Sequence, residues 1–260
     1  MNILSVEFIL ASFLIFVRIS SLIFSAPYFS TSVFPQRVKL FFAIALTIVL
    51  YPIIPLQGAV LAPNATIIEV LIAVIKEALV GISMGLVGQI IFGGVQMAGV
   101  LVSYDLGISF GSVVDPMSRE QNGTLTQFMI LLATLLFLGI RGDVIYIKAL
   151  VESFKIVPIG HVFPAEAAPL FLKMAVYLFK IGVQLASPFL VVLFLLDMSF
   201  AVFARIMPQA NIFFIALPLK VGVGIIIFIV VLPFLPVAFH TFFSHLWNDL
   251  STILYALGKK

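Results

Sequence analysis

The spacing of the charges constrains this chain more than any other feature. Residues 40–68, 78–104, 121–140 and 221–248 contain no Asp, Glu, Lys or Arg. Each stretch holds the ~20 apolar residues with which a helix crosses a bilayer. The apolar runs are continuous rather than alternating, which selects helices over the strands of a barrel. Over 260 residues, 63% are hydrophobic and 10% are charged. Soluble domains carry about 25% charged residues, so a water-soluble surface cannot be built from this chain. Disorder is excluded as well, because it requires low hydrophobicity. The expectation is an all-α membrane protein.

Other totals narrow the function. Net charge is +3 and the 14 Lys and Arg are scattered. Without a basic stripe, no nucleic acid partner is expected. Cysteine is absent, which removes disulfides, thiolate metal sites and cysteine nucleophiles. The opening MNILSVE places Glu7 where a signal peptide needs basic residues, so the following apolar stretch is expected to stay in the mature protein.

Six apolar regions are read at roughly 8–29, 40–56, 67–104, 124–140, 170–204 and 210–247. Arg18, the pair Lys76 and Glu77, and Asp197 lie inside them. A mid-membrane charge costs on the order of 3 kcal/mol, so such residues face other protein or a wet cavity. Between the apolar regions, 141–169 is the most water-compatible stretch, with Arg141, Asp143, Lys148, Glu152, Lys155 and Glu166. No repeat divides the chain, and 1–260 is read as one membrane-associated domain. Basic residues distribute almost evenly between the two sides when six single spans are assumed. A hairpin at Gly93-Gly94 would bias them, but its second arm has only about ten apolar residues before Asp105, too few to cross. The topology stays open.

Gly81, Gly85, Gly88, Gly93, Gly94 and Gly99 crowd region 67–104, and Gly81-xxx-Gly85 lets helix backbones approach closely. Pro188, Pro208, Pro218, Pro233 and Pro236 interrupt the later regions, and each kinks or ends a helix. Such helices suit protein packing, although broken helices also mark transporter sites.

The catalytic inventory is thin. Phosphate-loop, dinucleotide, zinc-protease and nucleophile-elbow motifs are all missing. Of the three histidines, His161, His240 and His245, the last two are five apart, off-register for one helical face, and have no carboxylate near except Asp249, so they read as structural histidines, not a metal site. Asp197 and Arg205 are eight apart, which is long for direct pairing on a helix. The segment 105–123, DLGISFGSVVDPMSREQNG, mixes glycines with bulky apolar residues. It reads either as an ordinary loop with packed side chains or as a loop inside a protein cavity or pore. The stretch 241–260 places Phe243, Leu246, Trp247, Leu250, Ile253, Leu254 and Leu257 at helical spacing, giving an amphipathic helix for a membrane surface or a partner.

Four motifs in order carry a family resemblance. They are RISSLIFSAPYFSTSVFPQRVK from Arg18, KEALVGISMGLVGQIIFGGVQMAG from Lys76, Gly107 with Asp115-Pro116, and ARIMPQANIFFIALPLK from Ala204. Together they resemble the FliR family of flagellar biosynthetic proteins, the R-type subunits of the type III secretion export gate. Ile206-Met207 departs from the small residues expected before Pro208.

The resemblance implies kinked helices and helical hairpins packed with P-type and Q-type subunits into a hetero-oligomeric helical export-gate core. That core would be the channel mouth for unfolded export substrates in the bacterial inner membrane, at the flagellar basal body. It implies a P-like earlier part, a Q-like later part and a plug loop, placed on about 106–122. Ile108, Phe110, Val113, Val114 and Met117 would seal the pore, with Gly107, Gly111 and Gly123 as hinges. Arg18, Glu77, Gly81, Gly85, Gln96, Gly99, Arg205, Pro208, Gln209 and Asn211 would serve helix packing and subunit contact. A switch protein, a large export-gate protein and membrane lipid are the further partners. No cofactor is implied, because the energy source lies elsewhere, and no enzymatic activity. The rival reading is a secondary transporter of a small solute, with a buried polar path through Arg18, Lys76, Glu77, Asp197 and Arg205. An integral membrane enzyme is a further rival, disfavoured by the missing acid and histidine clusters.

Overall fold

A computed structural model describes residues 6–30, 34–54, 66–108, 123–160, 168–209 and 211–258. Their regular structure is entirely helical: α1 Val6–Ser25, α2 Pro27–Ser30, α3 Gln36–Leu50, α4 Ile67–Asp105, α5 Thr124–Gly139, α6 Gly142–Ile156, α7 Ala168–Ile206, α8 Ile212–Val231, a 3-10 turn Leu232–Phe234, α9 Leu235–Ser244 and α10 Leu246–Gly258. The stretches Phe8–Ser25, Ile67–Asp105, Pro169–Ile206 and Phe214–Gly258 are long and apolar enough to cross a membrane. This is an all-α membrane protein.

The residues form two compact units. The first contains residues 1–90, 141–175 and 244–260. Its core takes Leu14, Ile15, Ile19 and Leu22 from α1, with Val80, Met84 and Val87 from the early part of α4. Tyr146, Leu150 and Phe154 of α6 and Leu246, Leu250, Ile253 and Leu257 of α10 are buried there too. These positions recur every three or four residues, the period that puts one apolar stripe on a helix. The α1–α4 approach depends on small residues. A Cβ on Gly81 would lie 2.5 Å from the carbonyl oxygen of Arg18, and one on Gly85 would lie 2.8 Å from the Ser25 carbonyl carbon.

The second unit contains residues 91–140 and 176–243. Phe92, Phe137 and Phe243 meet with ring centroids 5.5 to 5.8 Å apart, a separation at which aromatic pairs attract beyond their buried area. Glycines again set the helix spacing: Gly94 of α4 sits on Ile181 of α7, and Gly99 on Thr126 of α5.

Several expectations from sequence need correction. Region 67–104 is one helix that runs unbroken through Gly93-Gly94, so the hairpin alternative fails. Within 141–169, α6 is a helix with Tyr146, Ala149, Leu150, Ser153 and Phe154 buried. Its charges, Lys148 and Lys155 among them, fall on the other faces, and this made the stretch look like a connection. Pro188 and Pro218 are carried inside α7 and α8, whereas Pro208 follows the end of α7 and Pro233 coincides with the 3-10 break. The amphipathic terminal helix begins at Leu246, after a break following Ser244, and not at 241.

Candidate functional site

Among the described residues, two polar clusters interrupt the apolar packing, one in each unit. In the first unit Arg18 is 0% and Glu77 1% exposed. Arg18 Nε donates to Glu77 Oε2 at 2.6 Å. Its Nη1 donates to the carbonyl oxygen of Ser153 at 3.0 Å and to Ser153 Oγ at 3.2 Å, and Nη2 donates to the Val157 carbonyl at 3.0 Å. The guanidinium also lies 4.2 Å from the centroid of the Phe154 ring. Glu77 Oε1 accepts the Gly160 N–H at 2.9 Å, and Lys76 Nζ donates to the Gly160 carbonyl at 3.2 Å. Gly160 has φ +81°, a conformation that glycine adopts freely and other residues resist. The cluster thus joins α1 and α4 to the carbonyl end of α6, where a cation is favoured by the helix dipole. Every guanidinium nitrogen of Arg18 is engaged, as a buried charge requires. Nothing here is open to a solute.

The second cluster lies at the end of α4. Lys220 Nζ of α8 is 2.6 Å from Asp197 Oδ1 of α7. It also donates to the Asp105 carbonyl at 3.3 Å and is 4.0 Å from Asp105 Oδ1. Sequence reasoning measured Asp197 against Arg205 and missed Lys220. The signal was present: Asp197 and Lys220 are almost equidistant from the Pro208-Gln209 turn, so an antiparallel α7–α8 hairpin sets them opposite each other. Beyond Asp105 the helix ends in Leu106, which packs on Gly224, and in Gly107 with φ +75°. Ile108 is exposed.

The two margins of the expected plug are fixed near each other. Gly99 touches Thr126, whose Cα would be 2.7 Å from an added Cβ, and an added Cβ on Gly123 would be 3.4 Å from Ser103 Oγ. The start of α5 therefore lies against α4 at Gly99 and Ser103. Phe110, Gly111, Val113, Val114 and Met117 lie outside the described residues, as do Asp115, Pro116 and His161. Arg205, Pro208, Gln209 and Asn211 sit together on an exposed corner between α7 and α8, and Gln96 is exposed on α4. His240 and His245 are exposed. Among the described residues, no group of three or more His, Asp and Glu could hold a metal.

Comparison with known proteins gives the chain a family. Residues 9–246 match the family of bacterial export proteins, family 1. The flagellar biosynthetic protein FliR of Escherichia coli is 32% identical over 242 residues, covering 93% of this chain and 91% of its own length. FliR of Aquifex aeolicus is 30% identical over 241 residues, 92% of each chain. FliR of Bacillus subtilis is 28% identical over 253 residues, 95% of this chain and 96% of its own. A match across nearly the whole chain, on helices spaced by the same Gly81, Gly85 and Gly99 that the motifs singled out, places the chain in family 1 of the bacterial export proteins, the family of FliR.

Proposed function

We propose that this chain, a membrane subunit of the flagellar export machinery, walls and gates the channel into which unfolded substrates are threaded. The observation that carries the reading is the apolar face of α7. Val176, Phe179, Val183, Val191, Phe194, Leu195, Met198, Val202, Phe203 and Ile206 are each about half exposed or more. From Val176 to Ile206 this face runs about 45 Å at 1.5 Å per residue. Bilayer hydrocarbon is about 30 Å thick. Keeping the face within it needs a tilt of about 48°, beyond the 0–40° seen for membrane helices. Lys180 and Gln184 are exposed along the same helix, which suits lipid tails poorly. Other protein must cover part of this face, and helices of P-type and Q-type subunits are the fitting cover. The exposed Arg205–Asn211 corner serves the same contacts. The switch protein and the large export-gate protein complete the assembly in the inner membrane.

Segment 106–122 is the plug in this reading. Its support is the approach of Gly123 to Ser103 of α4 and the positive φ of Gly107, with Phe110, Val113, Val114 and Met117 sealing the lumen. The transporter reading gains nothing from the geometry, because Arg18 and Glu77 saturate each other and Arg205 is exposed. Purification of the tagged protein in mild detergent tests the assembly: other small apolar export subunits should accompany it, and a stable solitary bundle would refute the reading. Deleting part of 108–117 should leave assembly intact and make the membrane leak ions. Unchanged conductance would remove the plug assignment.

A further inference from the structure

Resting on the reading that neighbouring subunits cover α7, we propose that the groove beside Asp197 receives an apolar helix of another export subunit bearing one lysine or arginine. The groove measures about 460 Å³ and is lined by Asp105, Leu190, Val191, Phe194, Leu195 and Asp197. Val191, Phe194 and Leu195 are each more than half exposed and Asp197 is partly exposed. A helix seated there would bury apolar side chains against a wall ending in two carboxylates.

The charge count selects the occupant. Asp105 and Asp197 share Lys220, so among the described residues the carboxylates of this groove outnumber its cations by one. On a face this apolar an unmatched charge is costly and calls for a partner. The cations of α7 itself are distant: Lys173, Lys180 and Arg205 lie 24, 17 and 8 residues from Asp197, about 36 Å, 25 Å and 12 Å along the helix. An anionic lipid headgroup is repelled by the same charge. A basic side chain on an apolar helix supplies both the hydrophobic fit and the missing charge, and such complementarity fixes the register of an interface.

The test uses the assembled complex, with a photoreactive benzophenone amino acid in place of Val191. Illumination should join it to an apolar segment of another export subunit with Lys or Arg within one helical turn of the cross-link. Asp197→Asn and Asp105→Asn should each lower the yield about tenfold, and Asp105→Asn does so with the 2.6 Å Lys220–Asp197 contact intact. Lys220→Gln, which makes the groove more negative, should hold the yield or raise it. A merely structural ion pair predicts the opposite, an equal fall for Asp197→Asn and Lys220→Gln, and that result would overturn the proposal. Cross-links to lipid alone, or to a segment without a basic residue, would also overturn it, as would Arg119→Gln reproducing the loss, since the missing charge would then be internal. Absence of any complex with the unsubstituted chain would instead sink the proposed function.

Discussion

Removing either half of the Arg18–Glu77 pair should loosen the end of α6 far more than removing both. In Arg18→Met, Glu77 keeps a buried negative charge with the Gly160 N–H as its remaining partner. In Glu77→Leu, Arg18 keeps its carbonyl acceptors on Ser153 and Val157 but no counter-charge. Breaking a buried pair from one side costs about 3–5 kcal/mol, whereas replacing both partners by apolar residues is often close to neutral. The double variant should therefore sit at least about 2 kcal/mol nearer to the unsubstituted protein than the two singles predict when added. Lys155 gives the readout. It is exposed in the last turn of α6, two residues after Ser153, whose carbonyl Arg18 holds, and trypsin cuts it when that turn opens. Where opening is fast relative to cleavage, the rate follows the opened population. Each single variant in the purified assembly should raise cleavage at Lys155 roughly a hundredfold, and the double variant much less than the product of the two. Logarithms of the rates that simply add would mean that the two charges do not feel each other, and the account of this cluster would fail.

Other positions yield sharper contrasts. Gly81→Ala should cost about 3 kcal/mol through overpacking, seen as loss of assembled protein; Ser21→Gly should not rescue it, because the Arg18 carbonyl would still lie 2.5 Å from the new Cβ. Gly222→Ala meets nothing within 4 Å and should be neutral or stabilising by up to about 1 kcal/mol, from helix propensity; a loss of assembly as large as that of Gly81→Ala would refute the steric argument. Gly160→Ala also meets nothing within 4 Å but has φ +81°, so its cost is backbone strain of about 1–2 kcal/mol. It should raise Lys155 cleavage about tenfold, and no change would show that this turn does not hold Glu77.

Much of the fold was legible because charge-free runs and three-to-four-residue spacing are local properties. The spacing of Leu14, Arg18 and Leu22, and separately that of Gly81 and Gly85, can each be read within one segment. What was not legible depends on pairing between segments distant in sequence. Arg18 meets Glu77 across 59 residues and Ser153 across 135, and nothing near Arg18 names either. Lys220 was missed for a related reason: Asp197 was measured along its own helix, when the relevant neighbour lay across a hairpin. Helix α6 was masked by its charges, since one apolar face on a charged segment contributes little to average hydropathy.

The two clusters differ in a way that bears on what each can do. Arg18 and Glu77 are fully buried, matched one to one, and bound to three helices. Such a pair adds little net stability over an apolar substitute, but it specifies which turn of α6 meets which turn of α1. It acts as a register pin, and its cost is repaid only while both charges are present. The Lys220 cluster is partly exposed and unequal in charge among the described residues. A pin needs neither exposure nor imbalance; a surface that must recognise a neighbour uses both. The first cluster therefore completes a chain that packs against itself, and the second has the partial exposure and unequal charge that the proposed contact with another subunit requires.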